Sequence, residues 1–464
     1  SNVKTQRLYY SMTSASMAPE FALWCRALLA AAVAASLLEE VHARRGPRKE
    51  INPHWRLATV RDQPDLQRPS GTNLSISSAI PVFANGESYI ALLQPFDSSL
   101  WEELLAIEHY CVSPGGKRSR VEKWGGESAL PQKSYMAWHC AWPVEEQEGD
   151  CHTVILEEAA GNTTISMGSI RACQNSNTTA GSGPFAMAAC VMPARELPGE
   201  IQDSGFLELP QWLEYYTIHG VDQFVIYVFS NSPLERHATL AIARPYMKTG
   251  LATVVEVKSS RYSLHIGDAQ NFILNDCLYR IRHRARWLLP ALTPDEYLHF
   301  GEQLEGSKFP AALDTRMAPW GDNVHSMLLD RYRFWHPRDP EAIKITSELR
   351  EPQIASLCPK YVVRPHLVQL LFVHWPTSVA PGMVAVAVDY TDMVVNDYRR
   401  IANDTSENVT DNILIGEAGH MARQLWHRYK GLLKWTNTQH RFAVNTASAS
   451  AVHDGQLECL FEQP

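Results

Sequence analysis

The chain has 464 residues, of which 45% are hydrophobic and 20% charged, with 42 Lys and Arg against 50 Asp and Glu. This composition excludes a fibrous or wholly disordered protein and leaves room for about two or three domains. The net charge of −8 gives no overall basic field, so we expect no nucleic-acid partner. No apolar run reaches about 18 residues, which excludes a multi-pass membrane protein.

The N-terminal region contains one apolar segment, residues 27–38, made of Ala, Leu, Val and Ser. It is short for a membrane span and has the length of a signal-peptide core. We interpret it as a signal peptide or a marginal single-pass membrane anchor; an alanine-rich soluble helix is the alternative. Residues 44–72 are rich in Arg, Pro, Gln and Asp and have the composition of a linker. Residues 1–72 are therefore predicted to be a signal or anchor followed by a stem.

Glycosylation acceptors and cysteines indicate the compartment. Five Asn-x-Ser/Thr triplets favour a secretory route, and they begin at Asn73, Asn162, Asn177, Asn403 and Asn408. Of nine cysteines, Cys25 lies just before the apolar segment, in the predicted signal or anchor, which leaves an even number for disulfides. The pairs considered are Cys140–Cys151 and Cys173–Cys190 as local bridges, and Cys277–Cys358 as a long one.

Residues 73–192 consist of short apolar stretches separated by Gly, Asn and Ser clusters. This pattern is typical of short strands with frequent turns, and it predicts a β-rich, sandwich-like module stapled by disulfides. The segment also contains four tryptophans that either stack on sugar faces or belong to the core, namely Trp101, Trp124, Trp138 and Trp142.

After this module, strand-like and helix-like segments alternate. Residues 221–229, 251–257 and 287–292 have strand patterns, and residues 234–248 and 269–285 have helical ones. This alternation predicts an α/β domain over residues 193–464, with a mostly parallel sheet flanked by helices.

Such sheets bind ligands at the carboxyl ends of their strands. Asp295 and Glu296 follow the third strand, where carboxylate oxygens can hold Mg²⁺ or Mn²⁺. The alternative is a solvated turn or a helix N-cap.

Several spaced residues then combine into a family resemblance. Trp212 and Tyr215 precede a strand from Gly220 to Tyr227, and Gln270 and the triplet beginning at Asn275 precede a strand containing Trp287. The chain continues with the Asp-Glu-Tyr-Leu segment from Asp295, the Lys-Tyr-Val-Val-Arg-Pro segment from Lys360, His374, and the Asn-Asp-Tyr-Arg segment from Asn396. In order and spacing, residues 186–435 resemble glycosyltransferase family 92.

The resemblance implies a GT-A-like fold and an inverting transfer of a hexose, often galactose, from a UDP-sugar to a glycan or glycoprotein acceptor. It also implies a divalent metal, Mn²⁺ or Mg²⁺, with Asp295 as main ligand, Glu296 beside it and His374 as a further ligand; a core histidine is the alternative for His374. A Golgi membrane or luminal location follows, with secretion as the alternative.

The resemblance also implies a set of residues for the nucleotide sugar. Tyr227 and Ser230 are expected near the base, and Gln270 and Asp276 toward the sugar or ribose. Arg282 and Arg364 are candidates for the diphosphate, with surface arginines as the alternative. Thr293 takes the place of the first Asp of the family's Asp-x-Asp motif.

Two departures from the family pattern bear on activity. Thr293 brings a hydroxyl without charge, and Asp397 stands where the family has a His. They motivate a second hypothesis, that of a catalytically impaired glycan-binding or scaffolding protein. An inverting transfer also needs a base, for which Asp322 is the candidate and Asp392 the alternative.

Overall fold

A computed structural model describes residues 57–61, 66–68, 73–76, 78–84, 87–96, 101–125, 134–143, 146, 151–173, 185–191, 205–229, 233–258, 266–290, 292–294, 296–300, 308–336, 349–350, 359–389 and 391–400. Over these ranges the protein is a strand-rich, mixed α/β structure with several sheets. No helix in the described ranges has the length and hydropathy needed to cross a membrane. The predicted signal or anchor at residues 27–38 lies outside them.

The described strands of the first part of the chain are β1 (Leu57–Arg61), β2 (Leu66–Gln67), β3 (Asn73–Leu74), β4 (Ser78–Ala84), β5 (Glu87–Phe96), β6 (His109–Val112), β7 (Arg118–Arg120), β8 (Glu122–Gly125), β9 (Ser134–Ala141), β10 (Cys151–Ala160) and β11 (Thr163–Cys173). Those of the second part are β12 (Phe185–Val191), β13 (Gln223–Phe229), β14 (Ala252–Lys258), β15 (Ala285–Leu289), β16 (Glu296–Phe300), β17 (Val324–Leu329), β18 (Arg331–His336), β19 (Leu349–Arg350), β20 (Lys360–Val363), β21 (Val368–Leu371), β22 (Pro376–Val379), β23 (Val384–Val388) and β24 (Met393–Arg400). The described helices are α1 (Trp101–Ala106), α2 (Gly205–Ile218), α3 (Pro233–Lys248), α4 (Ile266–Ile281) and α5 (Phe309–Met317), with 3₁₀ turns at Ala318–Asn323 and Pro365–Leu367.

Two antiparallel four-stranded sheets form a β sandwich in the first part of the chain. The inner sheet has the order β4-β5-β9-β8 and the outer sheet the order β11-β10-β6-β7. Leu92 and Trp138 of the inner sheet pack with Leu156 of the outer sheet in one buried core. Trp138 and Trp142 belong to this core rather than to an open sugar-binding face.

The inner sheet is buried on both faces. Successive residues of a strand point to opposite faces. Along β5, Ile90 and Leu92 therefore face the sandwich core, whereas Ala91 and Leu93 face a second core that includes Phe272 of α4. The sandwich thus lies directly against the next layer of the molecule.

The large sheet has the order β1-β14-β13-β12-β15-β20-β17-β23. The strands from β1 to β15 in this order pair in parallel, β20 pairs antiparallel with both β15 and β17, and β17 pairs parallel with β23. Helices α2, α3 and α5 cover one face, and α4 covers the other. A smaller sheet, β16-β24-β18-β19, begins where β15 and β17 end.

Two strands lie outside the segments to which the sequence assigns them. β12 pairs with β13 and β15 in the middle of the large sheet, although residues 73–192 were expected to form the β-rich module. β1 pairs with β14 at the edge of the same sheet, although residues 1–72 were expected to be a signal and stem. Both corrections have one cause: the partners of each strand are distant in sequence.

The three expected disulfide pairs are wrong. The bridges present are Cys111–Cys140, Cys151–Cys173 and Cys190–Cys277. The first joins the two sheets of the sandwich, the second joins residues in register on β10 and β11, and the third ties β12 to α4. Cys358 lies outside the described residues.

Candidate functional site

The carboxyl ends of the parallel strands define one edge of the large sheet, here called the carboxyl edge. Leu289 ends β15 at this edge, and Thr293 and Glu296 follow it closely in the chain. Because β20 runs antiparallel to β15 and β17, its first residue, Lys360, also lies at this edge and pairs with Leu329. Ligand sites of parallel sheets occupy this position.

Helix α2 holds the segment that contains Glu296. Trp212 donates its indole N–H to the carbonyl of Glu296 at 2.9 Å, and the Tyr216 hydroxyl donates to the same oxygen at 3.2 Å. Two further bonds join Tyr215 to the carbonyl of Leu298, at 2.5 Å, and the amide of Leu298 to Tyr216, at 2.8 Å. Burial raises the pKa of Tyr216 well above its ordinary value, so the hydroxyl keeps its proton and remains a donor.

Glu296 belongs to a buried group of four charges, here called the quartet, with Lys360, Arg331 and Asp397. The Glu296 carboxylate lies 2.9 Å from the Lys360 ammonium and 3.8 Å from Arg331, which is 3.4 Å from Asp397. Each side chain is at most 5% exposed. Glu296 and Asp397 face each other across β16 and β24, where two carboxylates would repel without the cations between them.

The second oxygen of Glu296 is also occupied. Its Oε2 accepts the backbone N–H of Thr293 at 2.9 Å. Both carboxylate oxygens are thus used within the protein, which makes Glu296 a residue that shapes the turn after β15 rather than an open ligand. Asp295 lies outside the described residues, between Pro294 and Glu296.

His374 lies at the same edge, next to the start of β20. Its Nδ1 is 2.8 Å from the carbonyl oxygen of Pro359, the residue before Lys360, and the side chain is buried. A carbonyl oxygen only accepts, so Nδ1 carries a proton. Metal-binding histidines have this arrangement, with a backbone carbonyl fixing the other nitrogen.

Tyr227 and Asp276 contact each other in a second buried network, between the large sheet and α4. The Tyr227 hydroxyl donates to Asp276 at 2.5 Å, Arg280 donates to both carboxylate oxygens at 2.5 and 3.1 Å, and Ser78 of the sandwich donates at 2.6 Å. Burial, and then the charge of Asp276, raise the pKa of Tyr227 well above its ordinary value. The Asp276 carboxylate is therefore held by protein donors from three elements.

Gln270 and Ser230 were expected near the donor as well. Gln270 lies in the first half of α4, which begins after the carboxyl end of β14, and its side chain is buried. Ser230 lies outside the described residues.

Arg282, Arg364 and Asp322 lie at the opposite edge of the sheet. Arg282 follows α4 and precedes β15, and its buried guanidinium donates to the carbonyls of Val368 and His366, the latter at 3.3 Å. Arg364 follows the end of β20, with its guanidinium 5.3 Å from the ring centre of Trp287.

This placement corrects the roles expected for three residues. Arg282 is a buried anchor for the turn before β21, neither a surface residue nor one at the carboxyl edge. Arg364 and Asp322 contact each other, with 3.4 Å between Nη1 and Oδ1, but the sheet topology places both away from Thr293 and Glu296.

The quartet was not foreseen as a unit. Lys360 was named from the sequence only as the start of a segment and Asp397 only as a departure from the family pattern, and Arg331 was not named. Their ion-pair partners are 35 to 66 residues away in the chain, from Glu296 to Arg331 and from Arg331 to Asp397. No periodicity or local spacing could have signalled that they meet.

The residues at the carboxyl edge fit a divalent cation in part. His374 is bonded through Nδ1 to the carbonyl of Pro359, and Glu296 is engaged by Lys360 and Thr293. Over the ranges that the structure describes, no three His, Cys, Asp or Glu side chains form a cluster able to hold a metal.

The glycosylation acceptors differ in position. Asn162 is exposed in the turn between β10 and β11, which suits modification in a folded protein. Asn73 lies in β3, and Asn177, Asn403 and Asn408 lie outside the described residues.

The family model of glycosyltransferase family 92 matches residues 199–291. The matched range contains α2, β13, α3, β14, α4 and β15, the alternating elements that lead to the carboxyl edge. No curated protein matches the chain at the threshold applied. The match supports membership of this family and confirms the resemblance found in the sequence.

Proposed function

We propose, from the premise that the chain belongs to glycosyltransferase family 92, that it transfers a hexose, with galactose favoured, from a UDP-sugar to a glycan acceptor with inversion. The observation that carries the proposal is the convergence at the carboxyl edge. Helix α2 binds the backbone of Glu296 and Leu298, and Lys360 pairs with the Glu296 side chain. The turn that contains Asp295 is thus anchored on its C-terminal side.

The donor site lies at the carboxyl edge in a GT-A-like arrangement. The parallel section from β1 to β15, covered by helices on both faces, supports this fold assignment. Asp295 and His374 would hold Mn²⁺ or Mg²⁺, which stabilises the charge on the leaving UDP. Thr293 and Gln270 line the approach to this edge, with Ser230 following β13.

The chain's own residues have separate roles. Glu296 and Lys360 fix the turn, and Trp212 orients its backbone. Tyr227 and Asp276 set the position of α4 against the sheet from within the protein. Asp322 receives no catalytic step, because it lies at the opposite edge.

The proposal includes a location in the lumen of the secretory pathway, in the Golgi. Three disulfides join described cysteines, and such bridges persist in oxidising compartments. Glycan acceptors are found there too.

The second candidate function is glycan recognition without turnover. Its supporting observation is the state of Glu296, whose two oxygens are both bonded within the protein, together with Thr293 in place of an acidic residue. A transferase with one metal carboxylate fewer would bind the cation more weakly.

The deciding experiment is a titration of the purified chain with UDP, UDP-galactose and UDP-glucose, in Mn²⁺ and in chelator. We expect binding in Mn²⁺ that is lost in chelator and in Asp295→Asn. Glu108→Gln, an exposed carboxylate of the sandwich that pairs with Arg120, is the matched control and should bind like the wild type.

Metal-dependent binding followed by transfer to a glycan acceptor supports the transferase. Metal-dependent donor binding without transfer to any acceptor favours the impaired relative. A folded wild-type chain that binds no nucleotide at all contradicts the proposed function.

A further inference from the structure

The 3₁₀ turn Ala318–Asn323 exposes an aromatic side chain at the edge of the sheet opposite the donor site. Trp320 is 56% exposed, whereas Trp138, Trp212 and Trp287 are fully buried. A tryptophan left in water offers a large apolar ring face on which a ligand can stack.

Two charged groups stand beside Trp320. The Asp322 side chain is fully exposed, and Arg364 reaches it with 3.4 Å between Nη1 and Oδ1. The same guanidinium nitrogen donates to the carbonyl of Gly321 at 3.3 Å. Trp320 and Asp322 are two residues apart in the turn, and the guanidinium of Arg364 contacts both Gly321 and Asp322.

The residues on either side of the turn hold it in place against the core. Met317 before it and Val324 after it are buried in the core. Gly321 has φ of 68° and ψ of −152°, a conformation that favours glycine, and a side chain there would meet open space. Arg364 is anchored in turn by its backbone bond to the carbonyl of His325 at 2.9 Å.

We propose that Trp320, Asp322 and Arg364 form a saccharide-binding site separate from the donor site. The C–H face of a pyranose ring stacks on an indole, the carboxylate accepts hydrogen bonds from sugar hydroxyls, and the guanidinium donates to ring and hydroxyl oxygens. The ligand class is a neutral, hexose-containing oligosaccharide. Val363 pairs with Ser326 near the start of β17, so the turn before β17 lies toward the amino end of that strand, away from Thr293 and Glu296, and a glycan bound there leaves the donor position open.

The test measures saccharide binding directly, with lactose, N,N′-diacetylchitobiose and mannobiose as probes in calorimetric titrations. We expect saturable binding of at least one probe by the wild type. Trp320→Ala should weaken it about tenfold or more, and Trp320→Phe, which keeps an aromatic face, should retain most of it. Asp322→Asn should weaken it about threefold.

Leu105→Ala is the matched control, because Leu105 is an exposed apolar side chain (44%) on α1 of the sandwich, far from the turn in the chain. It should bind like the wild type, and unchanged urea midpoints should show that all variants are folded. Saturation by none of the three probes, or equal binding by Trp320→Ala and wild type, overturns the proposal.

A UDP titration of the same proteins separates this site from the proposed transferase activity. Trp320→Ala should bind UDP as the wild type does. A wild type that binds UDP but none of the three saccharides would overturn only the saccharide site, and a wild type that binds a saccharide but no nucleotide would contradict only the transferase.

Discussion

At the scale of single residues, the quartet shows how buried charge is balanced at the carboxyl edge. Two carboxylates, Glu296 and Asp397, lie opposite each other on neighbouring strands, and Lys360 and Arg331 neutralise them. Isolated buried charges are costly, and a buried ion pair stays favourable only when each member has a partner. The arrangement also explains Asp397, which departs from the family pattern but has its own cation in Arg331.

Replacement of Lys360 should therefore lower the free energy of unfolding substantially. We expect Lys360→Met to lower the free energy of unfolding by about 3 kcal/mol, because the Glu296 carboxylate keeps only Arg331 at 3.8 Å and the Thr293 amide. Urea denaturation followed by fluorescence measures this loss.

The double variant Lys360→Met/Glu296→Gln is the matched control. It removes the unpaired charge together with the cation, so it should recover most of the lost stability. A loss below ~1 kcal/mol in the single variant, the range of an exposed pair, would contradict a buried role for Lys360.

At the scale of elements, β12 is the strand on which the large sheet depends. It lies between β13 and β15, and its two faces contribute to two cores: Met187 and Ala189 to one, Ala188 and Cys190 to the other. The disulfide Cys190–Cys277 also fixes it to α4. The pattern of short apolar stretches and turn residues had assigned this strand to the β-rich module of residues 73–192.

A truncated chain that begins at residue 193 should accordingly fail to fold. It keeps the whole segment first assigned to the transferase, but it loses the strand between β13 and β15 and leaves two unpaired strand edges. Soluble yield, size-exclusion elution and a thermal transition by circular dichroism provide the measurement.

A chain that begins at residue 55 is the control, because it keeps β1, the sandwich and β12. It should be soluble and unfold cooperatively. A monomeric, cooperatively folded chain from residue 193 would contradict the role given to β12.

At the scale of the whole molecule, the sandwich and the large sheet share an interface rather than a linker. The inner sheet packs Ala91 and Leu93 against the α4 core. Ser78 donates to Asp276 at 2.6 Å, and His139 is 2.7 Å from the Tyr279 hydroxyl. Both polar contacts join side chains from the two bodies. We therefore expect the two bodies to unfold together.

Asp276→Ala tests this coupling. The change leaves Arg280, Tyr227 and Ser78 without their common acceptor, so we expect a loss of about 3 kcal/mol in the free energy of unfolding. Scanning calorimetry should show one transition for the wild type and a lower midpoint for the variant.

Asp392→Asn is the control, because Asp392 pairs with Arg316 and both side chains are 27% exposed. Asp392→Asn should lower the free energy of unfolding by less than ~1 kcal/mol. Two separate transitions in the wild type, one insensitive to Asp276→Ala, would show that the bodies unfold independently.

The sequence by itself determined the alternation of strands and helices after residue 200, because periodicity and apolar runs are local properties. The helix predicted for residues 234–248 corresponds to Pro233–Lys248, and the strand predicted for residues 221–229 to Gln223–Phe229. The family resemblance was equally readable from residues in fixed order, and the match over residues 199–291 confirms the part carried by Trp212 and its neighbours.

Only the tertiary structure decided which residues meet. The disulfide pairs, the place of β12 in the large sheet and the quartet all join residues far apart in sequence, and no local pattern encodes such contacts. The same holds for Asp322 and Arg364: the antiparallel direction of β20 relative to β15 carries Arg364 to the edge opposite Thr293 and Glu296. Strand direction depends on how the whole sheet assembles, and this is why the sequence identified these residues without placing them.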